Sequence, residues 1–457
     1  MNTLTSLQRK LVYLGGIIAL FIPIILLGAP PEPASGKGVQ ASPGGKLARL
    51  RTEKGLGEGD LGNVDPASST MNLLLLGFRG IATSVLWMDA QEQQRNKDWA
   101  ALRATTESII LLQPHFLKVW NFQGWNLAYN VSAEWDAVAD RYYWVKEGIK
   151  FFKKGCARNE KYAELFWYTG DTLGKKIGRS DEWVQFRRFY IHADPDTIRF
   201  KGRPDPDVNP DGIDNYREAR KWFLRCNETV DRYGNEQHIM ARYLVRAYPV
   251  RALFDYASTL QREGIFDEVG RDAWHDGFVE WTTKYGKEEF DCRPVAELMV
   301  HLELDPEERE KRLAEDRQNP NENQRYTSWV DKYQNVTNYR YWRTKSQVES
   351  EQEMSDAHRE MYAGEQALDK ADLSNAAKYY WDGMTKYEKL LNDYPDLKAE
   401  DETIDEGLLA QMGWRQCLEL MEEEIPEEYP LKEMWESKAG RRAYVTDEFN
   451  RRRRGSR

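Results

Sequence analysis

The sequence predicts an all-α protein, built from antiparallel helix pairs and preceded by one transmembrane helix. From Met71 onward, apolar residues recur at helical spacing between short polar turns. The alternating pattern of a half-buried strand and the Asn-Gly turn of a tight hairpin are both absent from the sequence. We expect at least roughly 60% helix between Met71 and Glu436, well above the third typical of globular proteins, and no sheet of three strands or more.

Short polar residues that can cap a helix precede several of the periodic segments. A side-chain oxygen at this position accepts a hydrogen bond from a backbone N–H of the first turn, and proline is favoured at the first helical position. The predicted helix starts are Asp98 before Trp99, Ser132 with Trp135, Ser180 before Asp181 and Glu182, and Asp305 before Pro306.

The N-terminus carries the predicted membrane anchor. Leu11 to Ala29 is a run of nineteen uncharged residues, which as a helix would extend about 28 Å, close to the thickness of a hydrocarbon core. Arg9 and Lys10 precede this run and the next basic residue is Lys37, so the positive-inside rule places the N-terminus in the cytoplasm. The alternative is a signal peptide cleaved near Ala29, where prolines follow directly. We predict an uncleaved anchor in a bacterial inner membrane, with the soluble domain outside the cytoplasm.

Composition shifts along the chain give the predicted regions. Their boundaries are 1–10 for the cytoplasmic N-terminus, 11–29 for the anchor, 30–70 for a flexible Gly/Pro-rich linker, 71–190 for a first group of helical repeats, 191–214 for a loop rich in Asp and Pro, 215–436 for a second group of repeats, and 437–457 for a basic tail. The apolar stretch from Met71 to Met88 contains Arg79 and is predicted as a core helix. Five arginines between Arg451 and Arg457 predict a solvated, unstructured end; contact with acidic lipid or phosphate is the alternative.

Charge and cysteine usage exclude several classes of function. The formal net charge of −10 argues against nucleic-acid binding, which needs a basic face to neutralise phosphates. Four cysteines lie far apart without any Cys-x-x-Cys pair, so no zinc or redox site is expected and buried free thiols are predicted. These are Cys156, Cys226, Cys292 and Cys417.

One spacing of large and small residues recurs along the helices. A large residue, a small residue four positions later and a Leu three positions after that lie on one helix face, where the small residue lets a partner helix approach closely. The copies are Trp120, Gly124 and Leu127; Phe166, Gly170 and Leu173; and Leu253, Ala257 and Leu260, with Gly264 at the following turn. A further unit is predicted from Gly364, Leu373, Ala376, Tyr380 and Gly383.

This spacing resembles the tetratricopeptide repeat, whose first helix carries W-x2-L-G-x2-Y. The resemblance covers about two-thirds of the residues between Met71 and Pro395, and the repeats depart from the standard pattern. Gly80, Gly124 and Gly170 are 44 and 46 residues apart instead of 34, and Leu replaces the final Tyr. The resemblance implies a TPR-like α-solenoid whose concave surface binds peptides or partner proteins. A non-repetitive helical bundle with the same core spacing is the alternative.

A short loop carries oxygen ligands at the spacing of a calcium-binding loop. The residues are Asp207, Asn209, Asp211, Asn215 and Glu218, with Gly212 at the turn. Pro210 favours an extended backbone before it, which does not suit such a loop. The favoured alternative is a turn followed by a helix from about Tyr216, with Asn215 as N-cap and Glu218 completing a capping box. No metal is therefore assigned, calcium is kept as a possible cofactor, and no other cofactor is expected.

No motif with a recognisable catalytic spacing occurs, so no catalytic residue and no small-molecule substrate are predicted. The histidines are expected to be surface or hydrogen-bonded helix residues; they are His115, His192, His238, His275, His301 and His358. One aromatic-rich segment could stack on sugars but is assigned to packing; it contains Trp120, Trp125, Tyr129, Trp135, Tyr142, Tyr143 and Trp144. We predict a membrane-anchored, non-catalytic scaffold that binds a protein partner at the cell envelope. The alternative is an extracytoplasmic enzyme or binding protein acting on polysaccharide.

Overall fold

The computed structural model describes residues 79–192, 204–233 and 240–455, together with a few isolated positions among the first 50. It is 77% helix and 1% strand, so the all-α prediction is confirmed. The α-helices are α1 (Arg79–Arg95), α2 (Trp99–Leu112), α3 (Leu117–Trp125), α4 (Val138–Arg158), α5 (Ala163–Asp171), α6 (Trp183–Arg187), α7 (Asn215–Tyr233), α8 (Arg242–Val245), α9 (Tyr248–Arg262), α10 (Glu268–Glu280), α11 (Pro306–Arg317), α12 (Tyr326–Thr337), α13 (Tyr339–Glu349), α14 (Gln352–Asp369), α15 (Leu373–Asp393), α16 (Asp401–Met421), α17 (Lys432–Ser437) and α18 (Ala439–Gly455).

Other backbone geometries connect these helices. π-Helical segments occupy Asn126–Val131, Thr172–Lys176, Arg188–His192 and Trp281–Tyr285, and 3₁₀ turns occupy Glu322–Gln324 and Pro395–Ala399. Within the described ranges the sheet has two antiparallel strands, β1 (Phe290–Asp291) and β2 (Met299–Val300).

Two of the predicted helix starts are confirmed by their caps. The Asp98 carboxylate accepts a hydrogen bond from the backbone N–H of Ala101 at 3.1 Å, and Asp305 accepts one from Glu308 at 2.8 Å. The start predicted at Ser132 is wrong, because this hydroxyl donates backwards to the Ala128 carbonyl at 2.6 Å and α4 begins only at Val138. After Ser180 the helix begins at Trp183.

The predicted anchor, residues 11–29, and the linker, residues 30–70, lie largely outside the described residues. Among the positions that are described, no helix is long and apolar enough to span a bilayer. The stretch that follows is helical from Arg79, but its assignment to the core applies to one face only, where Trp87 packs on Phe122 at 5.1 Å. Ile81, Val85 and Met88 are 65%, 48% and 61% exposed, and they lie along one side of α1.

The chain divides into two compact units, residues 1–166 and 167–457, with the boundary inside α5. The core of the second unit is rich in aromatic residues. Phe254 of α9 stacks on Trp342 of α13 at 5.0 Å between centroids, and Trp281 stacks on Tyr339 at 5.2 Å. Such pairs add to the free energy gained from burial alone.

The basic C-terminal tail is ordered where the structure describes it. α18 continues to Gly455, and its Val445 side chain is buried against α16. Arg441 bridges to Asp405 at 2.6 Å. The expectation of an unstructured end is wrong for residues 451–455, which are helical, and Arg451 pairs with Asp181 at 3.0 Å.

Two segments with the predicted repeat spacing share a local helix geometry. α3 ends one residue after Gly124, and α5 ends one residue after Gly170. Each helix then continues as a π-helical segment that begins two residues after the glycine. A π turn accommodates one more residue than an α turn, so it shifts the phase of the residues that follow.

Candidate functional site

Three polar side chains from three helices meet in the interior of the second unit. His358 lies in the second turn of α14, and its Nε2 is 2.9 Å from Oε2 of Glu349, the last residue of α13. Its Nδ1 is 2.7 Å from Oε1 of Glu406, in the second turn of α16. The Glu349 and His358 side chains are each 3% exposed, and Glu406 is 35% exposed. We call these residues the Glu–His–Glu cluster.

A lysine and a glutamine complete the surroundings of Glu349. Lys345, one turn earlier on α13, places its Nζ 3.5 Å from Glu349 Oε1. Gln261 at the end of α9 donates to Glu349 Oε2 at 2.8 Å. With Lys345 and Gln261 the cluster joins four helices, and its two carboxylates face two cationic groups.

Local structure explains why these helices meet here. Only Ser350 and Glu351 separate α13 from α14, which brings Glu349 back over the second turn of α14. α16 is fixed at the same place by two hydroxyl groups. Tyr387 donates to the Thr403 carbonyl at 3.2 Å, and Tyr341 Oη lies 3.1 Å from Thr403 Oγ1.

The electrostatics of the cluster keep all of its groups charged at neutral pH. Burial alone would lower the pKa of His358, but the carboxylates of Glu349 and Glu406 outweigh it and raise this pKa to about 10. Burial opposes ionisation of Glu349, yet His358 and Lys345 hold its pKa at about 2. His358 is therefore an imidazolium that donates through both ring nitrogens, and it is unsuited to act as a general base near pH 7.

The residue types in the cluster also occur in metal centres, and their potential ligand atoms lie within 4.8 Å of one another. The charges do not fit a divalent cation. Metal binding requires a neutral imidazole with a free lone pair, whereas both nitrogens of His358 already face carboxylates. The ammonium group of Lys345 would also repel a cation beside Glu349. The arrangement fits a closed ion-pair network better than a metal site.

The predicted calcium loop uses its side chains for internal hydrogen bonds. The Asn209 amide donates to the carbonyls of Tyr190 and Ile213, both at 2.9 Å, and the Asn215 amide donates to the Leu173 carbonyl at 3.0 Å. Asp207, Asp211 and Glu218, all described, do not converge as a group of ligands. Calcium binding at this loop stays a prediction.

The alternative for that loop was a turn followed by a capped helix. The predicted start of the helix is one residue from the observed start, but the predicted capping residues are wrong. α7 begins at Asn215, but the side chain that caps it is Asp214, which accepts from the Tyr216 N–H at 2.8 Å. Glu218 does not complete a capping box, because its Oε1 accepts a hydrogen bond from Trp222 Nε1 at 3.0 Å.

The residues of the predicted repeat spacing lie at helix contacts. A Cβ added to Gly124 would meet the Phe152 ring at 2.6 Å, and one added to Gly170 would meet Phe223 at 2.7 Å. Gly264 has a φ of +83° and faces the ring of Tyr362. Gly364 lies against Tyr380 in the same way. The other members of the set are buried, apart from the partly exposed Leu253 and Leu373; they are Trp120, Leu127, Phe166, Leu173, Ala257, Leu260, Ala376 and Gly383. These contacts are those of closely packed helices, and a regular repeat remains a prediction.

The aromatic-rich segment is only partly a packing element. Trp120 and Tyr142 are buried, but Trp125, Trp135 and Tyr143 are exposed, which corrects the assignment of the whole segment to packing. The Trp125 ring stacks on Tyr129 at 5.4 Å. The Trp135 ring stacks on Trp144 at 6.3 Å.

The Glu–His–Glu cluster has no signature in the sequence. Nothing in the sequence links Glu406 to His358, which is 48 positions earlier. The one local signal is Lys345 four residues before Glu349 on a helix, a spacing also common in solvated ion pairs. Comparisons with protein-family models, curated proteins and solved structures found no match for this chain.

Proposed function

We propose that the chain is a membrane-anchored, non-catalytic helical scaffold that binds a protein partner at the cell envelope. The observation that supports this most is an open groove of about 780 Å³ in the second unit. The turn between α9 and α10 forms one wall, and α14 with the start of α15 forms the other. Its lining mixes rings with charged groups; it includes Phe266, Tyr362, Tyr379, Arg359 and Lys370. This composition is typical of the rim and core of a protein interface.

The groove is built on rigid contacts. The Ser355 hydroxyl donates to the Phe266 carbonyl at 2.7 Å and ties the turn to α14. The Phe266 and Tyr362 rings lie 5.5 Å apart. Because these contacts already hold the walls of the groove in place, binding of a partner would cost the scaffold little conformational entropy.

Affinity purification from native membranes tests the proposal. The full chain should recover a stoichiometric partner, and Tyr379→Ala should reduce that recovery, because this exposed ring lines the groove. Tyr444→Ala is the matched control, since Tyr444 is exposed but does not line the groove. Recovery of the chain alone, or equal loss with both variants, would contradict a groove-dependent scaffold.

A second candidate, binding of polysaccharide, is favoured by two stacked ring pairs of the first unit, each with one exposed tryptophan. Trp125 with Tyr129 and Trp135 with Trp144 offer flat apolar faces of the kind that stack on sugar rings. Retention on immobilised envelope polysaccharide that is lost in Trp125→Ala and Trp135→Ala, with no protein partner recovered, would support this candidate over the scaffold.

A further inference from the structure

Four arginines from three parts of the second unit are grouped along α9. Arg251 and Arg262 are on α9, Arg179 follows the π-helical segment Thr172–Lys176, and Arg452 is on α18. We call them the arginine face. Arg262 Nη2 donates to the carbonyl of Gly178, the neighbour of Arg179, at 3.0 Å. Arg179 in turn pairs with Asp255, which is one helical turn from Arg251.

The C-terminal helix extends this face. Arg451 lies 3.0 Å from Asp181, which is two residues beyond Arg179. The next residue, Arg452, is close enough to Arg262 for its positive charge to act on that group. The arginine-rich tail identified in the sequence therefore contributes to a surface formed by the rest of the unit.

Two of the four guanidinium groups have no carboxylate partner among the described residues. Arg251 lies over the Trp342 ring, 4.2 Å from its centroid, and Arg262 lies 4.4 Å from the centroid of Trp183. The Nε of Arg262 is buried and has no hydrogen-bond partner in the described part of the chain. Arg262 Nη2 already donates to the Gly178 carbonyl and to Thr259 Oγ1, whereas stacking on the ring leaves the edge of the Arg251 guanidinium group available for an incoming acceptor.

Keeping these cations together carries a free-energy cost. Desolvation lowers the pKa of Arg251, the carboxylate of Asp255 acts against this effect, and the neighbouring charge of Arg179 adds to it. Desolvation also lowers the pKa of Arg262, and Arg179 and Arg452 act in the same direction. Two desolvated cations without an ion pair of their own among the described residues are favourable partners for an anionic ligand.

We infer that the arginine face binds an acidic segment of the partner protein. This deepens the proposed function and rests on it for the protein nature of the ligand. Carboxylates suit the planar fork of a guanidinium group, which can donate two parallel hydrogen bonds. Arg251 and Arg262 are eleven residues apart on α9, which is about 16 Å of helix and the span of about five extended residues.

The acidic groups within the face favour a peptide over a phosphate polymer. Asp255 lies between the arginines, and the negative charge of Glu402 acts on both Arg179 and Arg251. A uniformly anionic chain would be repelled there. A peptide brings backbone N–H donors for Asp255 together with carboxylates for the arginines.

Isothermal titration calorimetry on the purified full chain tests this inference. The probe is an eight-residue peptide of alternating Glu and Gly with both ends blocked, measured at low and high salt. Saturable binding that weakens with salt is expected, because salt screens exposed charges. Arg251→Gln should weaken binding by about tenfold, the effect of losing one charge-assisted hydrogen bond. Arg452→Gln should weaken it by a smaller factor, and because this side chain is exposed the substitution leaves the core unchanged.

Arg340→Gln is the matched control, since it removes the same charge from an exposed ion pair with Asp331 on α12. Absence of saturable binding, or equal weakening in the control, would overturn the inference. Tighter binding of tripolyphosphate than of the peptide would also overturn it and give the face a phosphate ligand. Partner recovery that depends on Tyr379 without any peptide binding would refute this inference alone, whereas peptide binding without partner recovery would refute only the proposed function.

Discussion

Glu349 and His358 are nine positions apart in the sequence, and their side chains meet at 2.9 Å in the interior of the second unit. The imidazolium is also held by Glu406, so one ring joins α13, α14 and α16. Removing one partner of a buried ion pair is strongly destabilising, because the remaining charge is left uncompensated. This loss is larger than the net stability that the intact pair contributes.

His358→Gln should therefore destabilise the protein by about 3–5 kcal/mol, since two carboxylates would face each other without a cation between them. Urea unfolding measures this change. His275→Gln is the control, because His275 is exposed and surface substitutions usually change stability by less than about 0.5 kcal/mol. Similar small effects in both variants would show that the cluster contributes little to stability.

The cluster also predicts how stability depends on pH. The folded pKa of His358, about 10, lies above its ordinary value of 6.5, so its contribution is complete below pH 6.5 and is lost as pH rises through about 10. The folded pKa of Glu349, about 2, lies below its ordinary value of 4.5, so its contribution is present above pH 4.5 and is lost as pH falls towards 2. Both contributions are complete between pH 4.5 and 6.5.

Between pH 7 and 9, the free energy of unfolding of the wild type should fall relative to that of His358→Gln. The difference should shrink by at most about 1.4 kcal/mol per pH unit, the value for one proton. Denaturant titrations at several pH values measure both slopes. Parallel slopes would mean that His358 is not a buried imidazolium.

Gly170→Ala should destabilise the protein by about 1–3 kcal/mol through overpacking. The added methyl group would meet the Phe223 ring at 2.7 Å and the Ala219 carbonyl at 3.0 Å. In Gly440→Ala the new methyl group meets nothing within 4 Å, so this helical position should gain stability from the better helix propensity of alanine. Opposite signs for the two substitutions in thermal unfolding would confirm the close helix contact at Gly170.

Asn209→Ala should cost about 1–3 kcal/mol, because the buried amide that it removes donates to the carbonyls of Tyr190 and Ile213 and accepts from the Ile213 N–H. Asp211→Ala removes an exposed carboxylate of the same loop and should be nearly neutral. Calcium should not shift the melting temperature if the loop is held by internal hydrogen bonds alone. A saturable calcium-dependent shift that Asp211→Ala abolishes would instead favour the ion-binding alternative.

Deletion of residues 11–29 should move the protein from the membrane fraction to the soluble fraction, because this uncharged run is the predicted anchor. Protease added to spheroplasts should digest the intact protein if residues 71–457 lie outside the cytoplasm. Protection of the whole chain would reverse the predicted orientation, and a mature N-terminus after Ala29 would identify a cleaved signal peptide.

Local signals predicted much of the fold. The helix starts at Asp98 and Asp305 follow from the hydrogen-bonding capacity of one side chain at the end of a helix, and a sequence window contains all that is needed. The burial of the cysteines as free thiols is likewise confirmed. Periodicity correctly indicated a helix from Arg79 but could not show that Ile81 and Val85 face solvent, because an apolar stripe has the same pattern whether or not another element covers it.

The interior charges could not be predicted in this way. Glu406 reaches His358 only because α16 crosses α14 at that position, and Gln261 joins from a helix still further away in the sequence. The loop after Asp205 shows the same limit on a smaller scale. Its carboxylates have the spacing of an ion site, yet the partners of Asn209 and Asn215 are carbonyl groups at Tyr190 and Leu173, in earlier segments.

The burial of the four thiols has a consequence for redox chemistry. Burial raises the pKa of Cys417 to about 11, so almost none of it is the reactive thiolate at neutral pH. Because all four cysteines are buried and free, the described fold needs no oxidant to form. We therefore expect the protein to reach the same folded state under reducing and oxidising conditions.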